Sequence, residues 1–301
     1  METERASPRY SDIDLWEPGD ILEALIEGQM AAVAAVRPAL GAIERAAAAI
    51  ESRLRQDGRL VYAGAGTSGR LAVQDGAELI PTFNWPPQRL LLLMAGGKEA
   101  LLRSAEGAED EIGQAARLVQ QHAIGSADVL IAVAASGTTP FTLACLRGAK
   151  ERGAVTIGIA NNQSTPLLTQ SDYPIWLDTG AEPIAGSTRM KAGTAQRVAL
   201  NLLSTLTMIR LGRVHQGLMV DVQAINAKLV MRSETILRKI SGRSGEDVQD
   251  ALQRADQNIK VAMLLLHGCS KERAAALLDQ AGGNLRAALE LADTQTEIAP
   301  Q

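Results

Sequence analysis

Residues 59–69, RLVYAGAGTSG, join a short apolar run to a loop of glycine and hydroxyl residues. After its arginine the run is continuously apolar rather than alternating, which is typical of a strand buried on both faces. The loop leads into a segment with helical spacing. A strand, a glycine-rich turn and a helix in this order predict one unit of a parallel α/β sheet.

Four more apolar runs follow along the chain, and helical stretches separate them. These runs cover residues 89–94, 129–134, 155–159 and 173–177. Five such strands joined by helices predict a five-stranded, parallel, doubly wound sheet with flanking helices. The predicted fold class is therefore α/β.

The segments on either side of the sheet region are mostly helical in pattern. Residues 1–20 carry two prolines and many charges and are predicted to form an extended arm. Residues 21–57 are predicted to form two helices that break near Pro38. Beyond the last strand, helical patterns cover residues 194–211, 221–240, 246–254, 257–267 and 271–290.

A break with the sequence SGRSG, at residues 241–245, separates the last three helical patterns from the rest. Glycine and serine in such a cluster are typical of a loop between structured segments. The chain is therefore predicted to have three parts. These are an N-terminal arm with helices (1–57), a sheet domain (58–240) and a small C-terminal helical bundle (241–301).

The composition of the 301 residues argues against several classes of protein. Apolar residues make up 46% and charged residues 21%, which is ordinary for a chain that buries a core. A net charge of −4 without a basic run argues against nonspecific nucleic-acid binding. No apolar run approaches the roughly 18 residues of a membrane span, and residues 1–20 lack the apolar core of a signal peptide. With only two separated cysteines, we expect a cytoplasmic protein that binds neither nucleic acid nor membrane.

The loop at residues 64–69 is compatible with two kinds of ligand. It matches the pattern GxGxxG, which can hold a dinucleotide. A dinucleotide fold needs an acidic residue at the end of the next strand, but that strand ends in LMAGG at residues 93–97. The hydroxyls of Thr67 and Ser68 can instead donate to phosphate oxygens, so the loop favours a phosphate group.

A second loop, Ser136-Gly137-Thr138-Thr139, follows the third predicted strand. Because the carboxyl ends of parallel strands share one edge, both hydroxyl-rich loops are expected there. Helix N-termini at that edge offer free N–H groups and a positive dipole end. Together the loops predict a phosphomonoester site, although serine and threonine at these positions can also serve only as helix caps.

Two carboxylates stand near these loops in the sequence. Glu78 lies late in the helix after the first loop, and Glu109 lies between the second and third predicted strands. Taken alone, a carboxylate of this kind is more often a solvated surface charge than a catalytic group. The three histidines are scattered without ligand spacing, so neither a metal site nor a Ser-His-Asp arrangement is predicted.

Longer motifs resemble the N-acetylmuramic acid 6-phosphate etherases, a family of sugar isomerase (SIS) domain lyases. The resemblance runs from about residue 3 to about residue 290. The motifs that carry it are GRLVYAGAGTSGRL (58–71), AE (77–78), PTF (81–83), AGG (95–97), EGAED (106–110), GSTRMKAGTAQ (186–196) and LMVDV (218–222).

The resemblance implies a fold, a reaction and roles for several residues. It implies a SIS domain, a homodimer, a C-terminal bundle similar to a UBA domain, and no metal or organic cofactor. The implied reaction converts N-acetylmuramate 6-phosphate and water into N-acetylglucosamine 6-phosphate and D-lactate, in the recycling of cell-wall sugars. Glu78 matches the acid that protonates the departing lactate, and Glu109 matches a second essential glutamate, assigned here as the base. The substrate-binding candidates are Thr67, Ser68, Ser136, Thr138, Thr139, Ser187 and Lys191.

The chain also departs from the family pattern. Thr138 and Gly217 stand where the family usually has arginine and asparagine, and residues 26–29 and 79–80 also differ. An arginine near a bound anion would strengthen anion binding. Two alternatives therefore stay open. One is a related lyase or isomerase for another sugar phosphate, and the other is a sugar-phosphate sensor like the related regulators of hexokinases.

Overall fold

A computed structural model describes residues 1–103, 105–222, 227–243 and 245–297 of the chain. Three parts of the predicted elements lie outside these described residues. They are residue 244 of the predicted break, residues 223–226 of the predicted helix 221–240, and residues 298–301 of the predicted C-terminal part.

The sheet has five parallel strands in the order β2-β1-β3-β4-β5. The strands are β1 (Leu60–Gly64), β2 (Leu90–Met94), β3 (Val129–Val133), β4 (Val155–Ala160) and β5 (Tyr173–Trp176). Strands β1 and β3 are buried at every position, as their continuous apolar sequences require. The predicted α/β class and the five-stranded parallel sheet with flanking helices are confirmed.

Helices precede the sheet and separate its strands. Two come before β1, with a single 3₁₀ turn at Arg37–Ala39 between them, as predicted near Pro38. The helices of this part of the chain are α1 (Pro18–Ala34), α2 (Leu40–Leu54), α3 (Gly66–Phe83), α4 (Ile112–Gln121), α5 (Pro140–Glu151), α6 (Pro166–Gln170) and α7 (Lys191–Arg210).

The N-terminal arm is not extended, and that prediction is wrong. It contains three single 3₁₀ turns, at Glu2–Glu4, Pro8–Tyr10 and Ile13–Leu15. Thr3 is fully buried. Its N–H donates to Asn162 Oδ1 at 3.3 Å and its hydroxyl accepts from Asn162 Nδ2 at 2.9 Å. These tertiary bonds hold the arm in turns, which a proline-rich, charged sequence does not predict.

The chain forms two compact units. The first comprises Met1–Ala77 and Pro87–Leu206, and the second comprises Glu78–Pro86 and Thr207–Gln301. Helix α3 therefore contributes residues to both units. The predicted division into residues 1–57, 58–240 and 241–301 stays a prediction.

The second unit is mostly helical, which confirms a C-terminal helical region. Its elements are β6 (Val214–His215), β7 (Leu218–Met219), α8 (Ala227–Ser241), α9 (Glu246–Arg254), α10 (Ile259–Leu266), α11 (Lys271–Gln280) and α12 (Leu285–Glu297). The antiparallel hairpin of β6 and β7 was not predicted. The predicted helix 271–290 is two helices, because Gly282 and Gly283 take positive φ angles of 58° and 77° between them. Across the described residues, no helix is both long and apolar enough to span a bilayer.

Candidate functional site

A cavity of about 380 Å³ lies at the carboxyl ends of β1 and β3 in the first unit. It is bordered by both predicted loops, by the segment around Glu109, by the N-terminal arm and by the 186–188 segment. Its lining residues are Glu4, Ala65, Gly66, Thr67, Ser68, Glu109, Asp110, Ala135, Ser136, Thr138, Thr139, Pro140, Gly186 and Thr188. The structure thus brings together five of the predicted substrate-binding residues and Glu109.

The first loop is shaped by backbone contact. Helix α3 begins at Gly66, directly after β1, and the N–H of Gly69 donates to the carbonyl of Ala65 at 2.9 Å. A Cβ atom on Gly69 would lie 2.6 Å from the carbonyl oxygen of Gly64. Thr67 and the buried Ser68 occupy the first turn of α3, where backbone N–H groups have no helical partner. The first turn of α3 itself contributes no acidic side chain that would neutralise its positive dipole end.

The second loop is shaped by side chains. The N–H of Thr138 donates to Ser136 Oγ at 3.2 Å, and this oxygen lies 3.3 Å from Thr139 Oγ1. Thr139 is the N-cap residue of α5, but its side chain makes no capping hydrogen bond. Helix capping alone therefore does not account for this hydroxyl. Ser136 and Thr139 are half-buried, and Thr138 is exposed.

Glu109 lies in a 3₁₀ turn at Ala108–Asp110, and its side chain is exposed. It borders the cavity described above and also a second cavity of about 350 Å³ in the same unit. Arg70 lines that second cavity, and its Nε donates to the carbonyl of Ala100 at 3.0 Å. Glu109 is therefore exposed and accessible from both cavities.

Glu78 lies in α3, five residues before the helix ends, and is exposed. It belongs to the second compact unit. There Arg213 holds the end of α3, because its Nη1 donates to the carbonyls of Phe83 at 2.8 Å and Asn84 at 3.2 Å. The guanidinium also lies 5.2 Å from the ring centre of the buried Trp85. The helix end near Glu78 is thus fixed by the second unit's own residues.

Asp221 of the LMVDV motif continues this polar network in the second unit. Its Oδ2 lies 3.7 Å from Arg213 Nη1 and 2.6 Å from Lys260 Nζ. Lys260 is nearly buried and also donates to the carbonyl of Gly283 at 2.7 Å. Burial lowers the pKa of Lys260, and the neighbouring Asp221 opposes this shift. A network of this kind stabilises the fold of the second unit, so the structure gives Asp221 a structural role.

Ser187 and Lys191 do not line the cavity. The N–H groups of Lys191 and Ala192 donate to the two oxygens of Glu182, each at 2.9 Å. Glu182 is fully buried, so the N-terminus of α7 already holds an internal anion. Lys191 Nζ donates to the carbonyl of Ala181 at 2.9 Å, and burial lowers its pKa. The predicted substrate contacts of Ser187 and Lys191 stay predictions.

Among the lining residues with polar side chains, the sequence analysis missed three: Glu4, Asp110 and Thr188. Asp110 and Thr188 lie inside motifs that resemble the etherases, so their position in those motifs could have indicated them. Glu4 had no such signal, because only tertiary contacts bring the arm to the cavity. Within the described part of the chain, no cluster of three or more His, Cys, Asp or Glu residues could hold a metal ion.

Comparisons with known proteins show which family the chain is similar to. Residues 42–150 match the glucokinase regulatory protein N-terminal SIS domain, and residues 108–206 match the SIS domain. The chain is 47% identical over 288 residues to an N-acetylmuramic acid 6-phosphate etherase of Deinococcus radiodurans, covering 95% of this chain and 94% of that protein. It is 43% identical over 294 residues to the etherase of Streptomyces avermitilis, with 97% and 94% covered.

Among solved structures, one from Bacteroides fragilis NCTC 9343 carries the name of a phosphosugar isomerase involved in capsule formation. It matches with a TM-score of 0.50 and 23% identity, and covers 66% of this chain and 97% of that chain. At this identity the likeness shows the fold alone, and that fold is the one described above.

Proposed function

Because the chain belongs to the N-acetylmuramic acid 6-phosphate etherase family, we propose that it is a lyase that cleaves the D-lactyl ether of N-acetylmuramate 6-phosphate. The products are N-acetylglucosamine 6-phosphate and D-lactate, and the reaction serves the recycling of cell-wall sugars. One observation carries the proposal to this chain. Hydroxyls from both strand-to-helix loops border the same cavity as Glu109.

The phosphate is assigned to the two loops. Thr67 and Ser68 lie at the N-terminus of α3, and Ser136 and Thr139 lie just before α5. Hydroxyl donors, free N–H groups and positive dipole ends suit a dianionic phosphate. Among the described residues that line the cavity there is no lysine or arginine, so hydroxyls and backbone N–H groups are proposed to carry most of the recognition.

The chemistry needs two proton transfers, which explains a requirement for two carboxylates. The sugar opens to its aldehyde, which acidifies the hydrogen on C2. Glu109 removes this proton as the base, the C3–O bond breaks, and Glu78 protonates the departing lactate oxygen as the acid. Water then adds across the C2–C3 double bond, with hydroxyl on C3 and hydrogen on C2, and returns N-acetylglucosamine 6-phosphate.

The test measures two events that can fail separately. Wild-type protein should release D-lactate from N-acetylmuramate 6-phosphate, with or without a metal chelator. In heavy water, Glu78→Gln should lose lactate release yet keep deuterium exchange at C2 of N-acetylglucosamine 6-phosphate, because the base is intact. Glu109→Gln should lose both. The reverse pattern would swap the two roles, and normal lactate release by either variant would remove that glutamate from the mechanism.

A second candidate function is a sugar-phosphate sensor without catalysis. Thr138 replaces the arginine usual in the family, and the cavity lining, as far as the structure describes it, contains no lysine or arginine. Tight binding of a sugar phosphate without D-lactate release at high protein concentration would favour this candidate.

The chain is further proposed to act as a homodimer in the cytoplasm and to bind no nucleic acid, in keeping with its net charge of −4. An apolar stripe on α1 supports dimer formation, because Leu22, Ile26, Met30 and Val33 are each between 49% and 67% exposed. These residues recur at spacings of three and four and so share one helix face. Light scattering at micromolar concentration should give twice the chain mass, and Met30→Asp should give a monomer. A monomeric wild type would contradict the dimer.

A further inference from the structure

We propose that Glu4 is a specificity-determining residue whose carboxylate accepts a hydrogen bond from a hydroxyl group of the bound sugar. The inference rests on the proposed function, since it concerns the same cavity. It adds a residue of the N-terminal arm to a site otherwise built from the ends of the sheet.

The arm is held close to the cavity by hydrogen bonds to the N–H, the hydroxyl and the carbonyl of Thr3. Besides its contacts with Asn162, Thr3 accepts a hydrogen bond from the N–H of Gly186 at 3.1 Å. Gly186 itself lines the cavity. Because Thr3 is fully buried, the next residue along the chain has little freedom of position. Glu4 is therefore placed at the cavity by packing.

The Glu4 side chain lies directly over the 186–188 segment. A Cβ atom added to Gly186 would come within 3.0 Å of Glu4 Oε2, so the carboxylate occupies the space that a side chain there would fill. Among the contacts of the described residues, none pairs this carboxylate with a hydrogen-bond donor or a cation. The neighbouring Glu2, by contrast, is paired with Arg5 at 2.9 Å and does not line the cavity.

The chemistry of the cavity decides what such a carboxylate can bind. In the described part of the chain, the cavity is lined by three acidic residues, Glu4, Glu109 and Asp110, and by no basic residue. A carboxylate repels a phosphate, so Glu4 does not bind that end of the substrate. It can accept from a hydroxyl, and a hydrogen bond to a charged acceptor is stronger than one between neutral groups. Sugar hydroxyls are therefore the matching ligand.

Binding measurements test the inference without turnover. Calorimetry should show that Glu4→Ala weakens the binding of N-acetylglucosamine 6-phosphate by about tenfold to a hundredfold. Glu4→Gln keeps an acceptor oxygen and should therefore lose less affinity for this sugar phosphate than Glu4→Ala does. Inorganic phosphate should bind Glu4→Ala at least as tightly as wild type, because a negative charge has been removed. Glu2→Gln, a matched charge change on the same arm, should leave both affinities unchanged.

Deoxygenated sugars identify the contact. The 3-deoxy or the 4-deoxy analogue of N-acetylglucosamine 6-phosphate should bind wild type more weakly than the parent sugar, and Glu4→Ala should abolish this difference. The inference would be overturned if Glu4→Ala bound the sugar phosphate as tightly as wild type, or if it lost the same affinity for inorganic phosphate. It would also be overturned if, for both deoxy analogues, removing the sugar hydroxyl weakened binding equally in wild type and in Glu4→Ala. Absence of D-lactate release with Glu4-dependent binding intact would overturn the proposed activity and leave this inference standing.

Discussion

The two loops that border the cavity reach the same edge of the sheet by different means. The first loop, residues 64–69, is built from glycines whose backbones touch, whereas the second, residues 136–139, is built from hydroxyls that bond to one another and to the backbone. Where backbones touch because a residue has no side chain, an added methyl group has no space. Where a loop is held by several hydrogen bonds, the loss of one bond can leave its conformation unchanged. We therefore expect an added methyl group in the first loop to be strongly destabilising, and the loss of a hydroxyl in the second loop to have a small effect. Gly137 is a close-packed position within the second loop and should behave more like the first.

The largest effect is expected for Gly69→Ala. The new methyl group would meet the carbonyl oxygen of Gly64 at 2.6 Å and Met94 Sδ at 2.5 Å, and the strand backbone cannot move away. The free energy of unfolding should fall by about 3 kcal/mol, measured by chemical denaturation. Gly113→Ala, in an exposed position of α4 with nothing closer than 3.5 Å, is the control and should be neutral or slightly stabilising. Equal stability of the two variants would contradict the close-packing account.

Gly137→Ala in the second loop should cost somewhat less, about 2 kcal/mol. Gly137 has a φ of 70°, and an added Cβ would lie 2.1 Å from Thr165 Oγ1. Here part of the obstacle is a side chain. Thr165→Gly in the same molecule should therefore recover some of the loss, which a double-mutant cycle measures. Strictly additive losses would mean that the backbone angle alone accounts for the cost.

A substitution at the amino ends of the strands, the edge opposite the two loops, should change stability without changing substrate binding. Arg59 and Asp128 precede β1 and β3, and their side chains are joined by bonds of 2.9 and 2.8 Å. Burial disfavours the charge of Asp128, but the bonds from Arg59 and the Gly125 N–H outweigh it and hold the pKa of Asp128 below its usual value. Asp128→Asn should cost about 1.5 kcal/mol at neutral pH and leave substrate affinity unchanged.

The stabilisation contributed by the Arg59–Asp128 pair should decrease at acidic pH. Because the folded pKa of Asp128 is depressed, the pair's contribution is complete above the ordinary aspartate pKa of about 4 and is lost as the pH falls through the folded value. Acid titration of stability should therefore be less steep in Asp128→Asn than in wild type. Asp57→Asn, which removes a highly exposed carboxylate 3.5 Å from Arg89, is the control and should change little. Identical acid titrations of wild type and Asp128→Asn would refute the assignment.

The smallest effect on stability is expected for Ser136→Ala. It removes one acceptor for the Thr138 N–H in a partly exposed loop, which costs about 0.5–1 kcal/mol. If the hydroxyl also holds the phosphate, the Michaelis constant for the phosphosugar should rise while the protein stays folded. Exposed Ser11, whose hydroxyl bonds to the Pro8 carbonyl, offers the matched Ser→Ala control. An unchanged Michaelis constant for Ser136→Ala would remove this hydroxyl from phosphate binding.

The sheet was predictable because its signal is local. Strands buried on both faces must be continuously apolar, and the observed strands begin and end within a residue or two of the predicted runs. The two loops were predictable for the same reason, since each directly follows a recognisable strand and parallel strands share one carboxyl edge. Ser68 and Ser136 could therefore be placed at a single edge from sequence.

The parts that were not predicted depend on tertiary contacts or on very short elements. Glu4 reaches the cavity through bonds between Thr3 and Asn162, which are 159 positions apart. Strands of two residues, such as β6 and β7, are too short to show a period. Nor could the sequence show that Lys191 would lie beside a buried carboxylate of its own chain, Glu182.

Trp85, which packs against Arg213, lies in the second unit and can report on the unfolding of that unit by its fluorescence. The chain has three tryptophans, and Trp16 and Trp176 belong to the first unit. Replacing those two by phenylalanine leaves Trp85, only 1% exposed, as the single indole emitter. Its emission should shift to longer wavelength when water reaches the ring. Following that shift beside circular dichroism during denaturation would tell whether the two compact units melt in one transition or in two.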